Sequence, residues 1–183
     1  MTEVREKLID QRSRAFKNLT VLESRINRGD GFAAVKFIEE NLLQNEEVWI
    51  VGEIQEKPIH LPAIEIGFSE STIEITTYEE VNDYNIAEEI ETYALGDEEK
   101  TSSLELYLAD GEPDVVEESK FLPHRMRGQE GGPVAGRVPV FRPAAPGKKI
   151  FSPETTIAMK IENVGGADIR FLQMMYSWWV ERK

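Results

Sequence analysis

Apolar positions along this chain change rhythm near residue 46. From Thr2 to Arg28, Val4, Leu8, Ala15, Leu19, Leu22 and Ile26 recur at spacings near three and four, interrupted at Gln11-Arg12. That pattern predicts an amphipathic helix with a narrow apolar stripe. Thr2 is placed to cap its start and Gly29-Asp30-Gly31 to stop it. Phe32 to Gln44 continues in the same rhythm through Val35, Ile38 and Leu42, so a second short helix is expected. Residues 1–44 therefore read as a helical N-terminal arm.

From Glu47 onward the period is two, the mark of half-buried strands. Glu47–Ile54 is the first. Pro58 and Pro62 confine the next stretch to edges and turns. Ala63–Phe68 and Ser71–Tyr78 read as two strands about a break at Gly67–Ser71, with Ile64, Ile66, Ile73 and Ile75 alternating against Glu65 and Glu74. Ile86–Leu95 fits a strand or a helix, with strand favoured by the turn at Gly96-Asp97, and Ser103–Leu108 alternates through Leu104, Leu106 and Leu108. Asp110–Gly136 is rich in Gly, Pro and charge and has no long periodic run, which inside a compact domain marks a functional loop or one ordered by a partner. Strand signals resume at Arg137–Arg142 and Lys149–Ser152.

The last two strands are the clearest. Ile157, Met159 and Ile161 alternate with Thr156, Lys160 and Glu162, and Asn163–Ala167 offers two glycines able to take the positive φ angles of a short hairpin loop. Between Asp168 and Val180, Leu172, Met174, Tyr176 and Trp178 share one face while Phe171, Met175 and Trp179 share the other. A strand apolar on both faces is usually covered on both sides. Eight or nine strands at such short intervals predict a mainly β, antiparallel sandwich over residues 45–183.

Charge divides the chain at the same place. The total is −13, yet residues 1–28 hold seven Lys or Arg against four acids, net +3, leaving −16 for residues 29–183. A basic arm on an acidic body reads either as a helix with mixed surface charges or as a segment with an anionic partner for residues 1–28, namely nucleic acid, anionic lipid or a neighbouring acidic body. Between Glu39 and Glu118 there are 24 acids and only two Lys, Lys57 and Lys100. Binding of duplex nucleic acid by this body is disfavoured, because phosphate recognition needs clustered cations. No cysteine is present, which excludes disulfides, thiolate metal sites and a cysteine nucleophile. No run approaches the roughly 20 apolar residues of a membrane span, and the N-terminus lacks the apolar core of a signal peptide.

Candidate chemistry is thin. His60 and His124 are the only histidines, too few for a cupin-like metal centre. Asp110, Glu112 and Asp114 place three carboxylates at alternate loop positions, the one arrangement resembling a calcium clasp. Gly128–Gly136 beside Arg125 and Arg127 is a candidate anion cradle. Trp178 and Trp179 have the ring area to stack on sugars, although their apolar setting favours a core or subunit contact. No GxSxG, Walker A or GxGxxG motif occurs. No catalytic, cofactor-binding or metal-binding residue is assigned, and an enzyme is the least expected class.

The stretch Phe151–Arg170, FSPETTIAMKIENVGGADIR, with the strand order before it and the long loop after the middle strands, resembles the last two strands and Asn/Gly-rich turn of small β-capsid proteins. Residues 47–183 are similar to the single jelly-roll major capsid proteins of tailless icosahedral viruses with an internal membrane. The resemblance implies a virion shell subunit, forming dimers or larger capsomers with other virion proteins, without enzymatic activity or cofactor. It carries over no functional residue. On this reading Asp110–Gly136 and residues 1–28 are contact elements ordered by neighbouring subunits. The alternatives are a carbohydrate- or protein-binding sandwich, which needs Trp49, Trp178 or Trp179 exposed, and a connector or tail component of a tailed virus.

Overall fold

The computed structural model describes residues 28–69, 71–120, 124–127, 140–141 and 150–180. They form strands β1 (Gly31–Ile38), β2 (Glu47–Ile54), β3 (Ile59–Phe68), β4 (Thr72–Tyr78), β5 (Val81–Asp83), β6 (Ile86–Ile90) and β7 (Thr92–Ala94). After these come β8 (Leu104–Ala109), β9 (Asp114–Val115), a single 3-10 turn (Glu117–Ser119), β10 (His124–Arg127), β11 (Val140–Phe141), β12 (Ile150–Phe151), β13 (Thr155–Asn163) and β14 (Leu172–Val180). The described chain is mainly β, and all its strand pairs are antiparallel.

The pairing is nested. β1 pairs with β14, β2 with β13, β3 with β12 and β11, and β4 with β10, as if one long hairpin had been laid down and then rolled. Rolling adds β14 to β3 and β13 to β4. Sheet one therefore runs β11-β3-β14-β1-β7 with β12 also on β3, and sheet two runs β10-β4-β13-β2-β8-β6. The segment between β4 and β10 is an insertion in this scheme. Its strands β6 and β8 extend sheet two beyond β2, β7 extends sheet one beyond β1, and β5 with β9 makes a separate two-stranded ribbon.

Alternation explains the core. Ile50 and Ile54 of β2, Ile73 and Ile75 of β4, and Ile157, Met159 and Ile161 of β13 face inward from sheet two. Phe32, Ile64, Ile66, Leu172, Met174, Tyr176 and Trp178 meet them from sheet one in a single cluster. Between the sheets lies a cavity of ≈ 20 Å³ bordered by Ile50, Ile64, Leu106, Ile157, Tyr176 and Thr77. The Thr77 hydroxyl is buried there with no hydrogen-bond partner. Thr77→Val keeps the branched shape and removes the orphan group, so the urea midpoint is expected to rise, corresponding to about 1 kcal/mol. A fall instead would mean that the hydroxyl is satisfied in solution.

Several sequence expectations change. The second short helix expected over Phe32–Gln44 is strand β1, paired residue for residue with β14 from Gly31↔Trp179 to Ile38↔Leu172. Phe32-Ala33-Ala34-Val35-Lys36-Phe37-Ile38 is apolar at nearly every position, so it satisfies either period, and long-range pairing decides. The β-body thus begins at residue 31, not 45. The helix expected over Thr2–Arg28 lies outside the described residues, apart from Arg28. The loop expected over Asp110–Gly136 contains β9, the 3-10 turn and β10. Strands β13 and β14 form no hairpin: they belong to opposite sheets, and residues 164–171 cross between them. Gly165 and Gly166 do not adopt positive φ. Gly165 is needed instead for space, since a Cβ there would sit 2.1 Å from Ser71 Oγ and 2.5 Å from the Thr72 amide nitrogen.

Candidate interaction surfaces

The residues singled out for chemistry are not brought together. His60 lies on β3 in sheet one, with Trp179 packed edge-on at 4.0 Å between ring centroids. His124 lies on β10 in sheet two, opposite Ile75. Asp110 and Glu112 are exposed, and Asp114 sits on β9 within reach of Asn82 Nδ2 at 3.3 Å. Among the described residues no three His, Asp or Glu side chains are grouped to hold a metal ion. The candidate anion cradle at Gly128–Gly136 lies outside the described residues. Of its flanking cations, Arg125 is engaged by Glu74 at 2.6 Å. The three tryptophans that a sugar platform would need are buried, Trp49 to 3% exposure, Trp178 to 0% and Trp179 to 4%.

What the fold does build is two unlike outer faces. On the outside of sheet two, Glu47, Glu53, Glu74, Glu105 and Glu162 follow from the same alternation that sends isoleucine inward. The small apolar patch among them, Trp49, Val51, Tyr78 and Ala158, is covered by the chain itself, through Val81, Tyr84 and Val115 of the inserted segment. Tyr84 donates its hydroxyl to Glu53, and Tyr107 donates to Glu105 at 2.8 Å. Burial and then these carboxylates push both phenols well above the ordinary tyrosine range. Lys160 lies 6.0 Å above the Trp49 ring and pairs with Glu162 at 3.0 Å and Glu47 at 3.6 Å. Burial alone would lower its ammonium, but the two carboxylates outweigh it and the net shift is upward.

The outside of sheet one is different. Ala33, Val35 and Phe37 of β1 lie beside Ser177, Met175 and Gln173 of β14, and Tyr93 of β7 lies beside Ala33. Phe37 stacks on Phe171 with ring centroids 6.5 Å apart. Eight large apolar side chains are exposed among the described residues, and five of them, Val35, Phe37, Tyr93, Ile150 and Met175, are on this face. Glu65 is the one carboxylate on its paired positions in β1, β3, β7 and β14. The sequence already showed this second apolar row on the last strand. It did not show that β1 would lie beside it, because the apolar run Phe32–Ile38 fits a helical period as well as a strand.

No family model matches the chain, and no curated protein matches it. Among solved structures it is similar to a chain in the structure of infectious bursal disease virus Gt strain, with 9% identity and a TM-score of 0.21 over 94% of this chain and 45% of that one. A chain of the Gx strain of the same virus gives 9% identity and a TM-score of 0.16, over 81% of this chain and 41% of that one. The chain thus spans less than half the length of these neighbours. Likeness of that degree leaves the fold to be judged from the strand pairing alone.

Proposed function

We propose that the chain is a virion structural protein, a capsid shell subunit of jelly-roll type that associates with further copies through the outer face of sheet one. The nested pairing of first strand with last, second with next-to-last and so on, over two sheets that share one core, supports the jelly-roll part of this reading. The observation that carries the reading is the gathering of Val35, Phe37, Tyr93, Ile150 and Met175 on one outer face while the other face is acidic and partly covered by the chain's own insertion. Exposed apolar side chains gathered on one face in this way mark a contact with protein or membrane. Self-association fits it better than sugar binding, which has no exposed tryptophan to use. Light scattering over a range of concentration is expected to show dimers or larger species. Val35→Glu with Phe37→Glu is expected to shift them to monomer without loss of β structure by circular dichroism. A strict monomer at every concentration, or association indifferent to both substitutions, would sink the proposal.

A further inference from the structure

We infer that Glu65 makes association through the outer face of sheet one acid-promoted: its charged carboxylate weakens the contact, and its protonation lets a second copy seat on the same face. Control of this kind rests on the shell-subunit reading, to which it adds the group that sets the strength of the contact.

What seats on the face follows from the two unlike outer faces. A second copy can offer the exposed row Val35, Phe37 and Met175 either its own row or the outside of its sheet two. The outside of sheet two carries Glu47, Glu53, Glu74, Glu105 and Glu162. Burying those carboxylates against apolar side chains is costly. Of these two faces only the apolar one matches itself, as in the self-complementary contact of a two-fold pair.

Glu65 lies inside that contact. It is exposed on β3 opposite Met175 of β14, and Met175 is opposite Val35 of β1. Among the described residues no hydrogen bond or ion pair holds its carboxylate. Lys36 of β1 is no counter-ion for it, since it shares the inner side with Met174 and pairs with Glu88 at 2.5 Å. Lys160 and Arg125 belong to sheet two and are engaged by its glutamates. From β14 and β1 the neighbouring positions are Gln173, Ser177, Ala33 and Phe37, none of them titratable, and β11 places Val140 opposite. His60 lies near the start of β3 against Trp179, and Tyr93 of β7 donates its hydroxyl to Glu91 at 2.6 Å. A carboxylate moved from water into apolar surroundings favours its neutral form. Each copy brings one, so association takes up protons and tightens as the pH falls.

Sedimentation equilibrium of the full chain and of Glu65→Gln, at pH 7.5 and pH 5.5, tests this. At pH 7.5 the Gln variant is expected to associate at least about tenfold more tightly than the parent, and the gap is expected to close toward pH 5.5. Acid also discharges other carboxylates of a chain with net charge −13, but that acts on both proteins alike and cancels in their ratio. Equal association of the two at both pH values, still abolished by Val35→Glu with Phe37→Glu, overturns the role of Glu65 and leaves the shell reading standing. Weaker association of the Gln variant also overturns it, because Glu65 would then pair with a cation of the second copy, such as the exposed Arg170. Monomers throughout, or association indifferent to Val35→Glu with Phe37→Glu, remove both the shell reading and the acid control.

Discussion

Trp178→Ala is expected to cost about 3–5 kcal/mol of folding stability, the largest loss of any single truncation in the core. Trp178 is fully buried on β14, the strand held between β1 and β3. Its ring stacks on Phe32, its register partner on β1, with centroids 6.2 Å apart and planes at 22°. Its Nε1–H reaches Ser102 Oγ at 3.3 Å, in the inserted segment. Truncation therefore opens a large cavity beside the inner face and also strips a donor from Ser102. The surrounding strands are tied by ladders on both sides and have little freedom to collapse into the space. Equilibrium urea unfolding measures the loss. Met175→Ala, three residues earlier on the same strand but on the outer face, is the matched control and should cost less than about 1 kcal/mol in the monomer. Similar losses for the two would mean that the faces of β14 are assigned wrongly.

That contrast also shows what was legible in the sequence. Strands whose two faces differ in polarity are readable directly: β8 and β13 lie at nearly their expected bounds, because leucine, isoleucine or methionine alternates there mainly with glutamate, threonine or lysine, and the run Glu47–Ile54 matches β2. β1 is not, because Phe32–Ile38 is apolar on both faces and its period is undefined until a partner strand supplies one. Sheet membership was equally hidden. Alternation says that two neighbouring strands each have an inner face, but not whether the chain between them turns back within a sheet or crosses to the other. The glycines after Asn163 looked like a hairpin signal, whereas Gly165 is required by the close approach of Ser71 from another part of the chain. The apolar outer face depended on both points. Only once β1 is a strand, and β14 its neighbour, do Val35, Phe37 and Met175 become one surface.

Asn163 provides the second large effect, through polar rather than apolar burial. It ends β13, is fully buried, and uses its whole side-chain hydrogen-bonding capacity. Nδ2 donates to the Leu42 and Ala167 carbonyls, both at 2.9 Å, while Oδ1 accepts from Ser71 Oγ at 2.6 Å and from the Gly165 amide at 3.2 Å. One side chain thereby ties together the β1–β2, β3–β4 and β13–β14 connections, all of which pass between the sheets. Asn163→Ala leaves these groups facing an empty site and is expected to cost about 2–4 kcal/mol, with little dependence on pH. Asn163→Asp has nearly the same shape but points a carboxylate at two carbonyl oxygens. Its folded-state pKa must then be raised above the unfolded value of about 3.9, because only the protonated acid can donate to either carbonyl. A raised carboxyl pKa makes the penalty complete above the folded-state pKa and removes it as the pH falls toward about 4. Urea midpoints of each variant, taken relative to the parent at each pH, should therefore diverge at neutral pH and converge in acid for Asp but not for Ala. If the Asp variant costs the same at pH 4 and pH 7, the side chain does not face those carbonyls, and the three connections are held together by their backbone alone.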